Sequence, residues 1–192
     1  MDRVNSGNFP ATLGDANSGQ GLKASPGTTY RYTVNNSANP QTFCLSATNG
    51  SSFYSVTENS TASEGSCVNV ALGASATNAM LTDGVTTSSP YFSMATGLQA
   101  VTVSLASAQD ISTIKVWHYY ADGRSYNATK TDVSEDNINW TTVFDSASEG
   151  TYVETSAGKT TTFPVRKVRY IRDWLNGSTS NTGNHWVEIQ AY

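Results

Sequence analysis

The ten residues 117–126 (WHYYADGRSY) carry the densest group of side chains in this sequence that could bind a ligand. They combine four aromatic rings with a histidine, an aspartate and an arginine. Aromatic rings can stack on the C–H face of a pyranose, and the planar guanidinium fork can span two adjacent oxygens. Aromatic platforms with a few fixed polar groups are typical of ligand pockets, so this loop predicts a sugar-binding surface.

The predicted ligand contacts fall within this loop, whereas Trp117 ends an apolar run and is expected in the core. The predicted contacts are His118, Tyr119, Tyr120, Asp122, Arg124 and Tyr126. A second interpretation stays open, in which Asp122-Gly123 is simply a hairpin turn and the tyrosines cover a sheet edge.

Catalysis finds little support in the sequence, and we expect a protein that is not an enzyme. Two histidines and two cysteines give no convincing pair of nucleophile and base. Glycoside hydrolysis needs two carboxyl groups facing one cleft, and no such pair can be placed. The neighbouring Glu135 and Asp136 lie in a predicted turn.

The charge pattern argues against nucleic acid and against membranes as partners. Only 14% of the 192 residues are charged and the net charge is −4, whereas phosphate binding needs a basic field. The basic residues Arg166, Lys167, Arg169 and Arg172 lie on one predicted strand, so they alternate between its faces and are expected to be solvated. No run reaches the roughly 20 apolar residues of a membrane helix, so we expect no direct membrane contact.

Cys44 and Cys67 are the only cysteines, and their spacing matches no zinc motif. A pair of cysteines in a chain rich in Ser, Thr and Asn suggests a disulfide and an oxidising compartment; two buried thiols are the alternative. The N-terminus lacks the features of a signal peptide, and we expect that an export signal or anchor once preceded Met1.

Alternation with a period of two residues dominates the sequence, which predicts an all-β protein. Residues 1–66 form a first segment with strands over 29–34, 41–47 and 52–57, separated by turns at 35–40 and 48–50. This antiparallel meander is too small to be stable alone, and a Cys44–Cys67 link would support it. Residues 60–66 read as a small polar linker.

Residues 67–192 form the second predicted domain. Its strands are expected over 100–105, 111–117, 129–134, 141–144, 160–163, 167–174 and 185–191. Seven strands with polar turns between them predict a two-sheet sandwich.

The first segment resembles the soluble headgroup of type IV pilins and pseudopilins. The matching motifs are NFPATL at 8–13, GTTYRY at 27–32 and TFCLSAT at 42–48, which together lie in about a third of the chain. The resemblance implies a pilin-like β-meander, other pilin subunits as partners, and an extracellular location on the cell surface in a pilus. In that family a long apolar helix precedes the proline-containing loop.

The second domain resembles the discoidin family, the coagulation-factor type C fold with its galactose-binding-like carbohydrate modules. Five motifs occur in the family's order: NVALGA at 69–74, LTDG at 81–84, VSEDNINW at 133–140, VRYIR at 168–172 and VEIQAY at 187–192. Asn137 replaces the usual glycine of the third motif, and the cysteine pair that joins the termini in the family is absent. The resemblance implies a jelly-roll β-sandwich that binds ligands through loops at one end.

Two further predictions follow from this resemblance. The loop 174–184 would lie at the ligand end, which makes Trp174 and Asn176 candidate contacts; the alternative is a plain connection with Trp174 packed beneath it. His185 and Trp186 alternate in direction and are expected to be structural. Many family members hold a structural calcium, and Asp83, Thr86 and Glu188 with nearby carbonyl oxygens could form such a site, although Asp-Gly is also a common turn.

The sequence therefore favours an extracellular adhesin, a minor or tip pilin that binds a carbohydrate on a cell surface or matrix. Two alternatives remain open. One is a structural minor pilin whose discoidin-like domain binds a protein, and the other is the accessory carbohydrate-binding module of a larger secreted enzyme.

Overall fold

The structure is a computed structural model that describes residues 8–15, 26–37, 41–49, 52–57, 63–64 and 67–192. The chain divides into two compact units, Met1–Val68 and Asn69–Tyr192. The linker prediction at 60–66 lies outside the described residues, except for Ser63–Glu64, which form a short strand. Residues 38–40 and 50, which belong to the two predicted turns, also lie outside them.

The first unit is an antiparallel four-stranded sheet. Its strands pair in sequence order: β1 (Thr29–Asn35), β2 (Thr42–Asn49), β3 (Ser52–Thr57) and β4 (Ser63–Glu64). Phe9 packs on Phe43 with ring centroids 4.8 Å apart, and the Tyr32 hydroxyl donates to the Pro10 carbonyl at 2.8 Å. A 3₁₀ turn follows at Leu13–Asp15.

Cys44 and Cys67 form the predicted disulfide, with Cα atoms 5.7 Å apart. The bond ties the central strand β2 to the end of the unit. Alternating exposure along β1 matches the period of two residues seen in the sequence.

The second unit is built almost entirely of strands. They are β5 (Ser75–Ala76), β6 (Phe92–Met94), β7 (Gln99–His118), β8 (Lys130–Ser134), β9 (Thr141–Asp145), β10 (Lys159–Leu175) and β11 (Asn184–Ala191). A 3₁₀ helix at Ala79–Thr82 and the helix α1 (Ser146–Glu149) are the helical elements of the described residues in this unit. The all-β prediction is therefore confirmed.

The two longest strands, β7 and β10, organise the jelly roll of the second unit. The strand order is β6-β11-β7-β10-β8-β9, with β5 also pairing with β7. The register between β7 and β10 shifts at Thr162/Arg166 and at Val168/Tyr170, which divides the pairing of the two strands into three segments. Such irregularities bend strands, so the sheet can fold over and enclose one core.

That core takes side chains from the two long strands and from β8 and β11. Its fully buried members include Val101, Val103, Ile111, Ile114, Ile171, Leu175, Trp186 and Ile189. Trp117 is buried as expected, and its Nε1 donates to the Ser156 carbonyl at 3.0 Å.

The sequence-based prediction split each of the two long strands into two shorter ones. Strands expected over 100–105 and 111–117 are the single strand β7, and those over 160–163 and 167–174 are β10. Polar residues at the bends interrupt the hydrophobic pattern, while backbone pairing between the two strands resumes beyond each bend. The short strands β5 and β6 were missed because two or three residues show no periodicity.

The hairpin between β8 and β9 explains one departure from the family pattern. Asn137 has φ of 65°, a left-handed conformation in which asparagine is tolerated better than most residues. Asp136 caps the turn, because its Oδ1 accepts from the backbone N–H groups of Ile138 and Asn139 at 2.9 and 2.7 Å. These hydrogen bonds hold the pKa of the Asp136 carboxyl below its usual range.

Within the residues described, no helix has both the length and the apolar character needed to cross a membrane.

Candidate functional site

The loop at 117–126 contains the turn that the alternative interpretation proposed. Gly123 has φ of 69°, and its N–H donates to the Tyr120 carbonyl at 3.0 Å. Of the four aromatic side chains of this loop, those of Trp117 and Tyr126 are buried and those of Tyr119 and Tyr120 are half-buried.

His118 cannot contact a ligand, because its ring is completely buried. Its Nδ1 lies 2.7 Å from Glu154 Oε1 and its Nε2 lies 2.9 Å from Asp173 Oδ1. Burial alone would lower the pKa of His118, but the two carboxylates outweigh it and raise the pKa to about 10. The prediction that His118 binds a ligand is wrong, and this imidazolium serves instead as a buried ionic link.

Arg124 is also engaged within the protein. Its Nε and Nη2 donate to Asp122 Oδ1 and Oδ2 at 2.8 and 2.6 Å, and its Nη1 lies 3.1 Å from His185 Nδ1. The guanidinium carbon lies 4.6 Å from the centroid of the Tyr119 ring. Only 7% of the residue is exposed, so the free guanidinium fork expected from the sequence is absent.

The hydrogen bonds of Arg124 hold the pKa of Asp122 at about 2. The pKa of His185 is lowered mainly by burial and to a lesser extent by the positive charge of Arg124. Because His185 Nδ1 lies 3.1 Å from both Arg124 Nη1 and the Tyr126 hydroxyl, we assign its hydrogen to Nε2. The site therefore holds one compensated ion pair and a neutral imidazole.

The three tyrosines of the loop lie at different depths. Tyr126 is buried, with 1% of its surface exposed, so the prediction of ligand contact by this residue is wrong. Tyr120 is half-buried, and its hydroxyl donates to the Thr86 carbonyl at 3.1 Å. Tyr119 is half-buried and packs edge-on against Tyr91, a ring that is 40% exposed and that sequence reasoning missed.

Trp174 belongs to a different cluster, on the outer face of β8 and β10. Its Nε1 donates to Asp132 Oδ2 at 2.8 Å, and the Arg172 guanidinium carbon and Lys130 Nζ lie 4.8 and 5.0 Å from its ring centroid. Arg172 also lies 3.9 Å from the Trp140 ring. The cluster reinforces the sheet, and the expectation that Arg172 is simply solvated was wrong.

The end of the second unit nevertheless carries a concave polar surface, which we call the amide groove. It is an open groove of about 160 Å³ beside the loop 174–184. Its polar side chains are Thr96, Asn127, Asn176, Ser178, Asn181 and Thr182. Gly97 and Gly177 complete its lining. The groove includes Asn176, one of the candidate contacts from the sequence.

Backbone hydrogen bonds set Asn127 and Asn176 side by side in this groove. The Asn176 N–H donates to the Asn127 carbonyl at 2.8 Å, and the Asn127 N–H donates to the Gly177 carbonyl at 2.9 Å. Both residues are exposed, and within the described parts of the chain their side-chain amides make no hydrogen bond. Two amides, each with donors and an acceptor, therefore face solvent together.

Asn184 holds the walls of the groove in place from below. It is fully buried; its Oδ1 accepts from the Gly177 N–H at 2.7 Å, and its Nδ2 donates to the carbonyls of Ala95 and Gly97 at 2.6 and 2.9 Å. These three bonds join the loop before β7 to the loop before β11. A buried asparagine at the start of the last strand was not identified from the sequence.

Of the residues predicted to hold calcium, Asp83 and Glu188 lie near one another, whereas the contact that places Thr86 is its carbonyl, which accepts from the Tyr120 hydroxyl. The Gly84 N–H donates to Glu188 Oε1 at 3.2 Å, and the Val85 N–H donates to Asp83 Oδ1 at 2.8 Å. Glu188 is fully buried and its Oε2 has no hydrogen-bond partner. The pKa of Glu188 is raised to about 7, mainly by burial and to a lesser extent by the negative charge of Asp83.

An orphaned, buried carboxylate oxygen next to a second carboxylate fits a bound cation. The residues described by the structure contain no group of three or more His, Cys, Asp and Glu side chains arranged for a metal ion, so carbonyl oxygens would have to complete the coordination.

Comparison with known proteins agrees with this architecture. Residues 80–172 match a family model described as NedA-like, galactose-binding domain. The second unit resembles a galactose-binding-like carbohydrate module. No curated protein matches the sequence significantly.

Solved structures similar to this chain include several carbohydrate-binding modules. Chitosan-binding module 1 from a chitosanase/glucanase of Paenibacillus sp. IK-5 is 25% identical, with 65% of this chain and 98% of that chain covered and a TM-score of 0.51. CBM32-5 of CpGH89 from Clostridium perfringens, in complex with GalNAc-β-1,3-galactose, is 14% identical, with coverage of 65% and 99% and a TM-score of 0.52. The CBM32 of AlyQ, in complex with 4,5-unsaturated mannuronic acid, is 28% identical, with coverage of 57% and 81% and a TM-score of 0.49.

The family-model match and the chitosan-binding module support the carbohydrate-module prediction for the second unit, and the module of CpGH89 agrees with its jelly-roll fold. They give no support to the pilin resemblance of the first unit, which stays a prediction.

Proposed function

We propose that this protein binds a carbohydrate without chemically changing it, and that the amide groove is the binding site. The observation that carries the proposal is the pair of unengaged amides at Asn127 and Asn176 in an open groove. A sugar hydroxyl both donates and accepts, so adjacent hydroxyls match adjacent amides. The likeness to carbohydrate-binding modules supports the same ligand class.

In this mechanism the aromatic loop positions the groove, and direct ligand contact comes from the groove itself. The Ser125 N–H donates to Thr179 Oγ1 at 3.1 Å, and the Thr179 N–H donates to the Ser125 carbonyl at 2.9 Å, which fixes the loop 174–184 against the loop segment that follows Arg124. Asp122 and Arg124 in turn stiffen that segment. Such preorganisation lowers the entropic cost of binding.

We expect weak affinity for one site. The groove, at about 160 Å³, is smaller than the roughly 300–1,000 Å³ of pockets that enclose a drug-sized ligand, so it can seat little more than one sugar residue. Many copies on one surface would compensate through avidity.

A glycan array followed by calorimetry tests this proposal. Asn127→Ala and Asn176→Ala should each weaken binding of an identified glycan about 2- to 10-fold, because each removes hydrogen bonds worth roughly 0.5–1.5 kcal/mol. Thr162→Ala, an exposed change near the start of β10, is the matched control and should have no effect. Full binding by the Asn127→Ala/Asn176→Ala double variant would reject the groove as the site.

We propose further that the protein is an extracellular adhesin in which the first unit is a pilin headgroup. The motifs given above, the antiparallel sheet and the Cys44–Cys67 disulfide support this role, since disulfides persist in oxidising compartments. The natural gene tests it: a long apolar helix encoded just upstream would support a pilin. A large catalytic domain encoded there would instead support the accessory module of a secreted enzyme.

We also propose that a calcium ion stabilises the second unit at Asp83 and Glu188, with carbonyl oxygens of the loop after the 3₁₀ helix. Bound calcium would neutralise the buried Glu188 carboxylate. Chelation should then lower the melting temperature, and added calcium should restore it. Glu188→Gln should remove this response; an unchanged melting temperature of the wild-type protein after chelation would contradict the proposal.

A further inference from the structure

The amide groove has no charged side chain in its lining. Six of its lining residues are polar and uncharged, and the other two are glycines. A uronic acid or a sulfated sugar carries a negative charge that a cation in the binding site would pair with, so the lack of a cation in this lining restricts the ligand. Moving a charged group into a site without a partner is costly, whereas hydroxyl groups can be matched by amides.

The cations on both sides of Asn127 along the chain are already paired. Arg124 forms a bidentate ion pair with Asp122, with Nε–Oδ1 and Nη2–Oδ2 distances of 2.8 and 2.6 Å. Lys130 Nζ lies 3.6 Å from Asp132 Oδ2 and 5.0 Å from the Trp174 ring centroid. Turning either side chain toward the groove would break its ion pair, with Asp122 for Arg124 and with Asp132 for Lys130.

The groups that are available suit a neutral diol. The amides of Asn127 and Asn176 each offer two donors and one acceptor. Thr96 and Thr182 are exposed and add hydroxyl groups to the lining. Hydrogen bonds of both directions are thus available without any net charge.

We infer that the groove selects a neutral sugar, bound through adjacent hydroxyl groups, and discriminates against sugars that carry carboxylate or sulfate. This inference rests on the proposed carbohydrate function and adds the chemical class of the ligand. It also means that binding is insensitive to salt, because no ion pair forms between ligand and protein.

The test measures binding of the full chain to matched neutral and acidic oligosaccharides at low and at high ionic strength. We expect neutral members to bind with the same affinity at both, and acidic members to bind at least about tenfold more weakly. Acidic members that bind as tightly as neutral ones, or more tightly, would overturn the inference but leave carbohydrate binding intact. Failure of every glycan to bind would overturn the proposed function and this inference with it.

A charge-introducing variant gives a second, independent measurement. Asn176→Lys should acquire salt-sensitive binding of acidic oligosaccharides and lose affinity for neutral ones about 2- to 10-fold. Thr162→Lys adds the same charge near the start of β10, away from the groove, and should behave as the wild type. If both variants gained the same affinity for acidic oligosaccharides, general electrostatic attraction would explain the gain without any role for the groove. That result would overturn the inference.

Discussion

At the scale of single residues, His118 shows how a buried charge can serve stability. Its imidazolium lies between Glu154 and Asp173, and Asp173 also accepts from Trp186 Nε1 at 2.9 Å and from Thr131 Oγ1 at 2.8 Å. Removing one partner from such a set leaves an uncompensated buried charge, which costs about 3–5 kcal/mol.

We expect the second unit to lose stability at alkaline pH through His118. Because the pKa of His118 is about 10 in the folded protein and about 6.5 when unfolded, its contribution is complete below pH ~6.5 and is lost as the pH rises through ~10. Urea unfolding followed by tryptophan fluorescence measures this, since all four tryptophans lie in this unit.

The variant His118→Gln isolates the effect from other alkaline titrations. It should be less stable than the wild type at neutral pH by roughly 3–5 kcal/mol and should show a shallower decline toward high pH. Parallel pH profiles for the two proteins would contradict the assignment of the charge to His118.

At the scale of elements, the side chain of Asn184 connects the loop before β7 to the loop before β11. We expect Asn184→Ala to destabilise the second unit by about 2–4 kcal/mol, because it leaves the buried Gly177 N–H without a partner and removes the two hydrogen bonds to the Ala95 and Gly97 carbonyls. Glycan affinity should fall as well. The exposed Asn181→Ala, which removes one hydrogen bond to the Gly183 N–H, is the control and should cost less than ~1.5 kcal/mol. Equal losses in the two variants, measured by urea unfolding, would reject the bracing role.

The strands were predictable because alternation is a local signal. Strand β3 was predicted with the bounds it has, and β11 to within one residue at its start. The continuity of β7 and β10 was not predictable, because it depends on pairing between residues far apart in the chain.

The site was predictable only in part, for the same reason. The sequence identified a loop rich in rings and polar groups. It could not show that Arg124 would pair with Asp122, or that His118 would pair with Glu154 and Asp173. The last two lie 36 and 55 residues from His118. Asn176 was found because of its loop, whereas Asn127 and Asn184 have no local signal that marks them.

At the scale of the whole molecule, the chain stabilises its two units by different means. The second has a continuous apolar core, whereas the small four-stranded sheet of the first carries the disulfide, which spans 23 residues. Small β-sheets bury little apolar surface and therefore depend on such links.

We expect Cys44→Ser with Cys67→Ser to destabilise the first unit by roughly 3 kcal/mol, since a loop of this length loses about that much closure entropy. Hydrogen exchange at the amides of β2 and β3 should accelerate, with the amides of β7 as internal reference. Unchanged exchange in β2 would show that the sheet does not depend on the bond.

The two unengaged amides have a practical consequence for producing the protein. Asn127-Ala128-Thr129 and Asn176-Gly177-Ser178 both fit the acceptor pattern for N-linked glycans, and both asparagines are exposed. Secretion from a eukaryotic host could attach an oligosaccharide to the very side chains proposed to recognise one. Protein made that way should bind its target poorly until the added chains are enzymatically removed, whereas bacterially expressed material should need no such treatment.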